Sequence, residues 1–266
     1  MDLGLVGQCF IVLGGTRGAG YETVRILAQE GANVAVLSRD PQARRADFDK
    51  LEDELGVKIL PLAADAGTAS EVDQAIKEAI KHFDTVHGLA VTNHWMGQAR
   101  GFEAVGDVEW EGYFQNSLMG TVRAVRALIP HLVERREGSI VLSSAYSAQA
   151  PKPSIAAYAA FKAALENLVR SLAQTYGSAG VRVNAVAPGT LRTARYDERL
   201  ARLRANRADI VLSEAERMML EDLGMRPALG RIGDPAEVAA FIVFLLSQRA
   251  SYMTGQVSKI DGGALS

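Results

Sequence analysis

Tyr158-Ala-Ala-Phe-Lys162 places a phenol and an ammonium four residues apart, the spacing that puts two side chains on one face of a helix. A free tyrosine titrates near about 10 and is protonated at neutral pH, but a nearby positive charge favours its phenolate. Lowering that pKa by about three units takes roughly 4 kcal/mol of differential interaction, a size that close charges in a partly dry cleft supply. Such a phenol can take a proton from an alcohol or give one to a carbonyl. Far upstream, directly after the apolar run Cys9–Leu13, the chain reads Gly14-Gly15-Thr16-Arg17-Gly18-Ala19-Gly20. Glycines at Gly14, Gly18 and Gly20 permit a sharp turn into a helix and let the main chain approach a diphosphate. The spacing is G-x-x-x-G-x-G, distinct from the G-x-G-x-x-G of longer dehydrogenases. A phosphate cradle followed by an activated phenol implies a nicotinamide-dependent redox site, with Tyr158 handling the proton while hydride moves at the neighbouring carbon.

The end of the second apolar run decides which nicotinamide cofactor fits. An acid there would accept from the adenosine ribose 2′-hydroxyl and repel a 2′-phosphate. The chain instead reads Val36-Leu37-Ser38-Arg39, with Arg17 projecting from the glycine loop and Asp40 one residue too late. Two guanidiniums on one corner can grip a phosphate by charge-assisted bonds, so Ser38, Arg39 and Arg17 point to NADP(H), with NAD(H) as the alternative. The competing reading is two solvated surface arginines.

The elements that must position these residues follow from hydrophobic patterning. Short apolar runs at Cys9–Leu13, Asn33–Leu37, Lys58–Leu62, Val86–Thr92, Ser139–Ser143, Val181–Ala187 and Val257–Ile260 are near-continuous, as expected for strands covered on both faces. Phe48, Leu51 and Leu55 mark one helix ending at Gly56; Val72, Ile76, Ala79, Ile80 and Phe83 mark another, with Ser70 as its expected N-cap. A helix from about Ile155 to Tyr176 carries Tyr158 and Lys162. Tyr146 has Ala150 four residues on, no basic partner, and reads as packing or pocket lining. This alternation predicts a Rossmann-like, doubly wound α/β fold: a parallel sheet of about seven strands with helices on both faces. Residues 190–226 break the alternation and are crowded with charge, including Arg192, Arg195, Arg199, Arg202, Arg204 and Arg207. They are expected to form a helical lid beyond the carboxyl ends of the strands, where ligands bind in such sheets.

The 266 residues fit one domain, 1–266, with the lid inside it. A formal charge of −2 gives no reason to expect a nucleic-acid or anionic membrane partner. A single cysteine, Cys9, rules out an intrachain disulfide, no run is long enough to cross a bilayer, and the N-terminus lacks signal-peptide regions, so a cytoplasmic location is expected.

With these motifs in place, the tail Gly230-Arg231-Ile232-Gly233-Asp234-Pro235-Ala236-Glu237-Val238-Ala239, then Thr254-Gly255-Gln256 and Asp261-Gly262-Gly263, completes a pattern. Over essentially its whole length the chain resembles the short-chain dehydrogenase/reductase family, in its Tyr-x-x-x-Lys type and close to its 3-oxoacyl-thioester reductases. The resemblance implies that Asn116 orders a helix kink and a water leading to Lys162, and that Asp65 binds the adenine amino group. It implies that Pro188, Gly189, Leu191 and Thr193 lie in the loop holding the nicotinamide. It also implies that Thr16 and Ala19 join the glycine-loop contacts, that Lys162 bonds the nicotinamide ribose, and that the protein is a homo-oligomer, a tetramer or dimer.

Two departures from the family stand out. Where it usually has Asn-Asn-Ala-Gly after the fourth strand, this chain reads Val91-Thr92-Asn93-His94, then Trp95. Asn93 falls in the segment that supports the cofactor ribose, while His94 is either a second acid/base or, the favoured reading, a structural histidine. Counting back from Tyr158 by the family's thirteen residues to the serine that polarises the substrate oxygen reaches Ala145; a one-residue shift selects Ser144, which is the expectation here. The chain is therefore expected to interconvert a secondary alcohol and a ketone with NADP(H), on a 3-oxoacyl thioester, a cyclic or steroid-like ketone, or a sugar-derived alcohol. The alternatives are a catalytically weak nucleotide-binding sensor and a redox fold used for epimerisation or dehydration.

Overall fold

Alternate residues of the first strand face opposite ways, and both ways are apolar. In β1 (Cys9–Leu13), Cys9, Ile11 and Leu13 join one buried cluster while Phe10 and Val12 join the other. A strand wetted on neither side must be covered by helices on both. The computed structural model describes residues 2–206, 211–222, 224 and 226–264. Its sheet runs β3-β2-β1-β4-β5-β6-β7 and every pairing is parallel. The other strands are β2 (Asn33–Ser38), β3 (Ile59–Ala63), β4 (Gly88–Val91), β5 (Gly138–Ser143), β6 (Val181–Pro188) and β7 (Val257–Ile260). All seven expected strands are present, with ends moved by one or two residues.

On one face lie α1 (Gly18–Gln29), α2 (Arg45–Leu55) and α9 (Pro235–Leu246). The other carries α3 (Ala69–Phe83), α5 (Gly120–Arg135) and α6 (Ala156–Tyr176). Between α4 (Asp107–Tyr113) and α5, residues Phe114–Met119 form a π-helical turn, a local widening that often marks a functional site. Gly56 ends α2 in the left-handed region at φ 66°, as the sequence suggested. The cap of α3 differs from expectation. Asp65 accepts the Gly67 N–H on its carboxylate and the Thr68 N–H on its carbonyl, so the turn closes early and Thr68, not Ser70, precedes the helix.

The charged segment forms two helices, α7 (Ala194–Asn206) and α8 (Leu212–Asp222). Their contact is apolar: Tyr196 and Leu200 pack with Ala215, Met219, Leu220 and Ile232. Arg192 bonds Glu216 at 2.8 Å and Arg217 bonds Glu221 at 3.0 Å, so part of the basic charge is neutralised within the segment. Arg207, and the side chains of Arg195 and Arg199, lie outside the described residues. Among the described residues no helix is long and apolar enough to cross a membrane.

The best-formed cap is at α9, where Asp234 accepts the Ala236 N–H at 2.9 Å and Glu237 accepts the Asp234 N–H at 2.8 Å. Replacing Asp234 with Ala is expected to lower unfolding free energy by about 1 kcal/mol in chemical denaturation. Nucleotide affinity should be unchanged, because the cap lies outside the phosphate cradle.

Candidate active site

The strand order reverses at β1 and β4, and the crevice beyond their carboxyl ends is where ligands bind in such sheets. Gly14, at φ 92°, follows β1 so closely past β4 that a Cβ would lie 2.6 Å from the Asn93 backbone nitrogen. A Cβ on Gly20 would lie 2.2 Å from the Gly14 carbonyl oxygen. Both glycines are therefore required by contacts within the protein. Gly18, at φ 50° and at the start of α1, is the one whose missing side chain faces open space, which leaves room for a phosphate at the helix N-terminus. The sequence reading gave all three the same role; the structure divides the work.

Ser38 Oγ and Asn93 Oδ1, at the ends of β2 and β4, are buried without hydrogen-bond partners among the described residues. Buried oxygens without partners are costly, and hydroxyls or phosphate oxygens of a bound nucleotide fit that need. Arg17 and Arg39 are exposed beside this corner, and neither pairs with an acid among the described residues. Arg44 is a third guanidinium that the sequence reading missed. It donates to the Thr16 carbonyl at 3.2 Å and stacks over Tyr21 with its carbon 4.5 Å from the ring centre. Its signal was its place in the same strand-to-helix turn as Arg39.

Asp65 is partly buried after β3, one carboxylate oxygen holding the Gly67 N–H at 2.8 Å. Arg123 ties this turn to the π turn, donating to the carbonyls of Ala66, Gly67 and Gln115 at 3.1, 2.9 and 3.2 Å. Asn116 sits in the π turn: its carbonyl accepts from Asn93 Nδ2 at 2.8 Å and its side chain donates to the Gly112 carbonyl at 2.9 Å. The π turn around Asn116 is bonded to the segment after β4. Pro188 ends β6, Gly189 donates to the Ile260 carbonyl at 3.0 Å, and Leu191 pairs with Gly233. Thr193 accepts the Tyr196 N–H at 3.3 Å and so starts α7.

Tyr158 and Lys162 share one face of α6, and both are buried. Lys162 donates to the Ser143 carbonyl at 2.6 Å, and its Nζ lies 5.6 Å from the centre of the Tyr158 ring. Burial pushes the Lys162 pKa down to about 8. Burial first, with Tyr113 and Tyr146 nearby, pushes the Tyr158 pKa above the ordinary tyrosine range. The sequence reading expected the ammonium and a positive nicotinamide ring together to favour the phenolate; in the protein alone, desolvation is the largest effect. Tyr113 accepts the Gly97 N–H at 3.0 Å and packs against Tyr158 with ring centres 6.4 Å apart. His94 Nδ1 lies 3.3 Å from the Tyr158 hydroxyl.

Ser144 is not at the reacting centre. Its hydroxyl bonds Glu166 at 2.9 Å and the Lys162 carbonyl at 3.3 Å, while Ala145 packs with Tyr113 and Tyr158. The cause is strand alternation: β-type pairing continues to Ser144, whose N–H donates to Val186 at 2.8 Å, so Ser144 and Ala145 face opposite ways. Glu166, missed in the sequence, completes a four-residue spacing with Tyr158 and Lys162. An open cavity of about 470 Å³, lined by Trp95, Gly97, Arg100, Val108 and Glu109, lies two ring contacts from Tyr158 and contains no candidate catalytic residue.

Residues 14–264 match the family model described as enoyl-(acyl carrier protein) reductase. A short-chain reductase protein, NovJ of Streptomyces niveus, is 33% identical over 253 residues, covering 95% of this chain and 92% of that one. The crystal structure of L-sorbose reductase from Gluconobacter frateurii, complexed with NADPH and L-sorbose, superposes with a TM-score of 0.90 at 27% identity, covering 100% of this chain and 99% of that one. A short-chain oxidoreductase from Pseudomonas aeruginosa PAO1 containing an atypical catalytic centre gives 0.88 at 29%, covering 97% of each chain.

Ser144→Ala should change turnover less than about threefold while lowering stability by about 1–2 kcal/mol through loss of the buried bond to Glu166. Ala145→Ser, which adds a hydroxyl beside Tyr158, should raise kcat roughly tenfold, a modest share of what one oxyanion donor contributes. Steady-state kinetics and denaturant titration of the two variants check both.

Proposed function

The chain belongs to the short-chain dehydrogenase/reductase family, and from that premise we propose that it is an NADP(H)-dependent oxidoreductase interconverting a ketone and a secondary alcohol. The observation that carries this reading is Tyr158, a buried phenol beside Lys162, on the helix facing the nucleotide crevice. Bound cofactor supplies the hydride and, when oxidised, a positive ring that favours the phenolate. The chain's residues do the rest. Gly18 and the α1 N-terminus receive the diphosphate; Arg17, Arg39 and Ser38 take the 2′-phosphate corner, with Arg44 bracing Thr16 behind them. Asp65 meets the adenine amino group, and Asn93 and Lys162 meet the nicotinamide ribose. Gly14, Ala19 and Gly20 shape the loop, while Pro188, Gly189, Leu191 and Thr193 frame the nicotinamide. Tyr158 gives its proton to the carbonyl oxygen, and Asn116 holds the kink beneath it.

NADP(H) is favoured over NAD(H) because the ribose corner presents guanidiniums and Ser38 rather than an acid. The NADPH-complexed sorbose reductase supports that choice, and its sugar substrate is a reason to try sugar-derived ketones alongside 3-oxoacyl thioesters. Residues 190–226 act as the substrate lid, α7 and α8 resting on Tyr146 close to Ala145. A homo-oligomer, tetramer or dimer, goes with this reading, and the exposed Phe102 and Val108 beside α4 give it apolar surface to cover. A second reading, a nucleotide-binding protein without efficient hydride transfer, draws on Ala145 standing where a polarising serine is expected.

NADPH oxidation against a panel of ketoses, cyclic ketones and 3-oxoacyl thioesters decides between the two. Turnover that Tyr158→Phe lowers by at least about 10²-fold is expected, the size of a general-acid contribution. Binding of NADPH with no turnover across the panel would favour the second reading. Arg17→Ala and Arg39→Ala should each weaken NADPH binding about tenfold or more, the loss of one charge-assisted phosphate contact, and leave NADH binding nearly unchanged.

A further inference from the structure

Tyr158 has a polar neighbour at its reacting oxygen that the family pattern does not supply. His94 Nδ1 lies 3.3 Å from Tyr158 Oη, and the two rings meet edge to face with centres 5.3 Å apart. One edge of the His94 imidazole touches the phenol, and the residue is otherwise exposed to solvent. The groups around the pair are Lys162 on α6, Tyr113 on α4 and Tyr146 after β5. Among the described residues no carboxylate bonds the imidazole, so nothing pairs with an imidazolium there. Desolvation of the edge against Tyr158, then the nearby Lys162 charge, lower the His94 pKa, which keeps the ring neutral at physiological pH.

The hydroxyl expected to polarise the substrate oxygen does not reach Tyr158. The Ser144 hydroxyl is bonded to Glu166, and Ala145 offers only a methyl group. Lys162 donates to the Ser143 carbonyl, and the Asn116 carbonyl accepts from Asn93. The tyrosine oxygen can donate its own proton and still accept one from a neighbour. A neutral histidine carries a donor on one ring nitrogen and an acceptor on the other, the arrangement a relay needs.

We propose that His94 is a catalytic residue that returns the proton from solvent to Tyr158 in each reductive turnover. The proposal rests on the reductase reading above. As hydride from the cofactor reaches the carbonyl carbon, Tyr158 Oη–H gives its proton to the carbonyl oxygen and becomes a phenolate. His94 Nδ1–H then protonates the phenolate while Nε2 takes a proton from a solvent acid. The imidazole ends neutral in its other tautomer and resets by exchange with water. One hydride and one solvent proton are consumed per alcohol formed; oxidation runs the same steps backwards. Asn93, by bonding the Asn116 carbonyl, holds the segment that aims His94.

The test uses the full chain as wild type, His94→Ala, His94→Gln and Tyr158→Phe. With a ketone that the wild type reduces, His94→Ala and His94→Gln should lower kcat at least about tenfold, within what general acid–base assistance contributes. Added imidazole should restore His94→Ala, which a merely structural role would not allow. In 15N-labelled protein the His94 ring resonances should move when Tyr158 becomes Phe. Unchanged kcat in both His94 variants, or a loss that imidazole cannot restore, would overturn the relay. If His94→Ala does not fold, the resonances decide: His94 signals indifferent to Tyr158→Phe would show that the two groups are not coupled. A wild type that reduces no ketone would overturn the reductase reading and the relay with it, whereas wild-type turnover with normal His94 variants removes the relay alone.

Discussion

The site depends on two chain segments passing at backbone contact where the strand order reverses. The turn after β1 crosses the exit of β4 so closely that Gly14 has no room for a side chain against Asn93. Thr92 fastens the crossing by donating its hydroxyl to the Leu13 carbonyl at 2.9 Å, and Gly20 folds back over Gly14. This fixes the start of α1 over the crevice and leaves Gly18 open for a phosphate. It also sets the direction in which residues after β4 leave the sheet. Asn93 then reaches the π turn through the Asn116 carbonyl, and His94 reaches Tyr158. Three consecutive residues, Thr92, Asn93 and His94, thus join the glycine turn, the π turn and the Tyr158 phenol.

The second constraint is electrostatic. Burial disfavours charge on both central groups: it holds Tyr158 protonated and lowers Lys162 towards neutrality. A phenolate here therefore has to be stabilised by charge or hydrogen bonds brought from elsewhere. The proposed cofactor brings a positive ring only in its oxidised form, so the phenol is most easily deprotonated when hydride has just left or when an alcohol is about to give one up. A tyrosine that ionised freely without cofactor would lack this timing. The dry interior around Tyr158, formed by Tyr113, Ala145 and Ala157, is therefore part of the proposed mechanism.

The fold was legible because its signals are local. Every strand is an apolar run long enough to be seen alone, and Tyr158 and Lys162 need only helical spacing to come together. What escaped the sequence depends on direction. Counting thirteen residues from Tyr158 reached Ala145, and preferring Ser144 required a shift in register that strand alternation forbids, because pairing with β6 continues to Ser144. Glu166 was visible as the third residue of a four-residue spacing, but its purpose required knowing which way Ser144 points. For His94 the sequence offered both an acid/base and a structural role; its place beside Tyr158 depends on where the segment after β4 leads, a tertiary outcome that residue type cannot carry. Arg44 was hidden for the same reason, since its turn brings it back under Thr16.

The segment after β6 shows how charge can mask the feature that matters. Its arginines dominate the sequence, yet Tyr196 and Leu200 are four apart, as are Ala215 and Met219, and those pairs form the apolar seam between α7 and α8. Ile232 and Tyr146 border the same cluster. Tyr146 follows directly on Ala145, which packs on Tyr158, so the proposed lid and the wall of the reacting centre are adjacent in the chain. Drawing the two helices away from Tyr146 and Ile232 would expose those apolar contacts to water at about 25 cal/mol per Å² of apolar surface, which favours keeping them in place. It would also withdraw support from Tyr146. Tyr146 therefore links the α7–α8 seam to the wall beside Tyr158: it touches the seam directly, and Ala145, its neighbour in the chain, packs on the phenol.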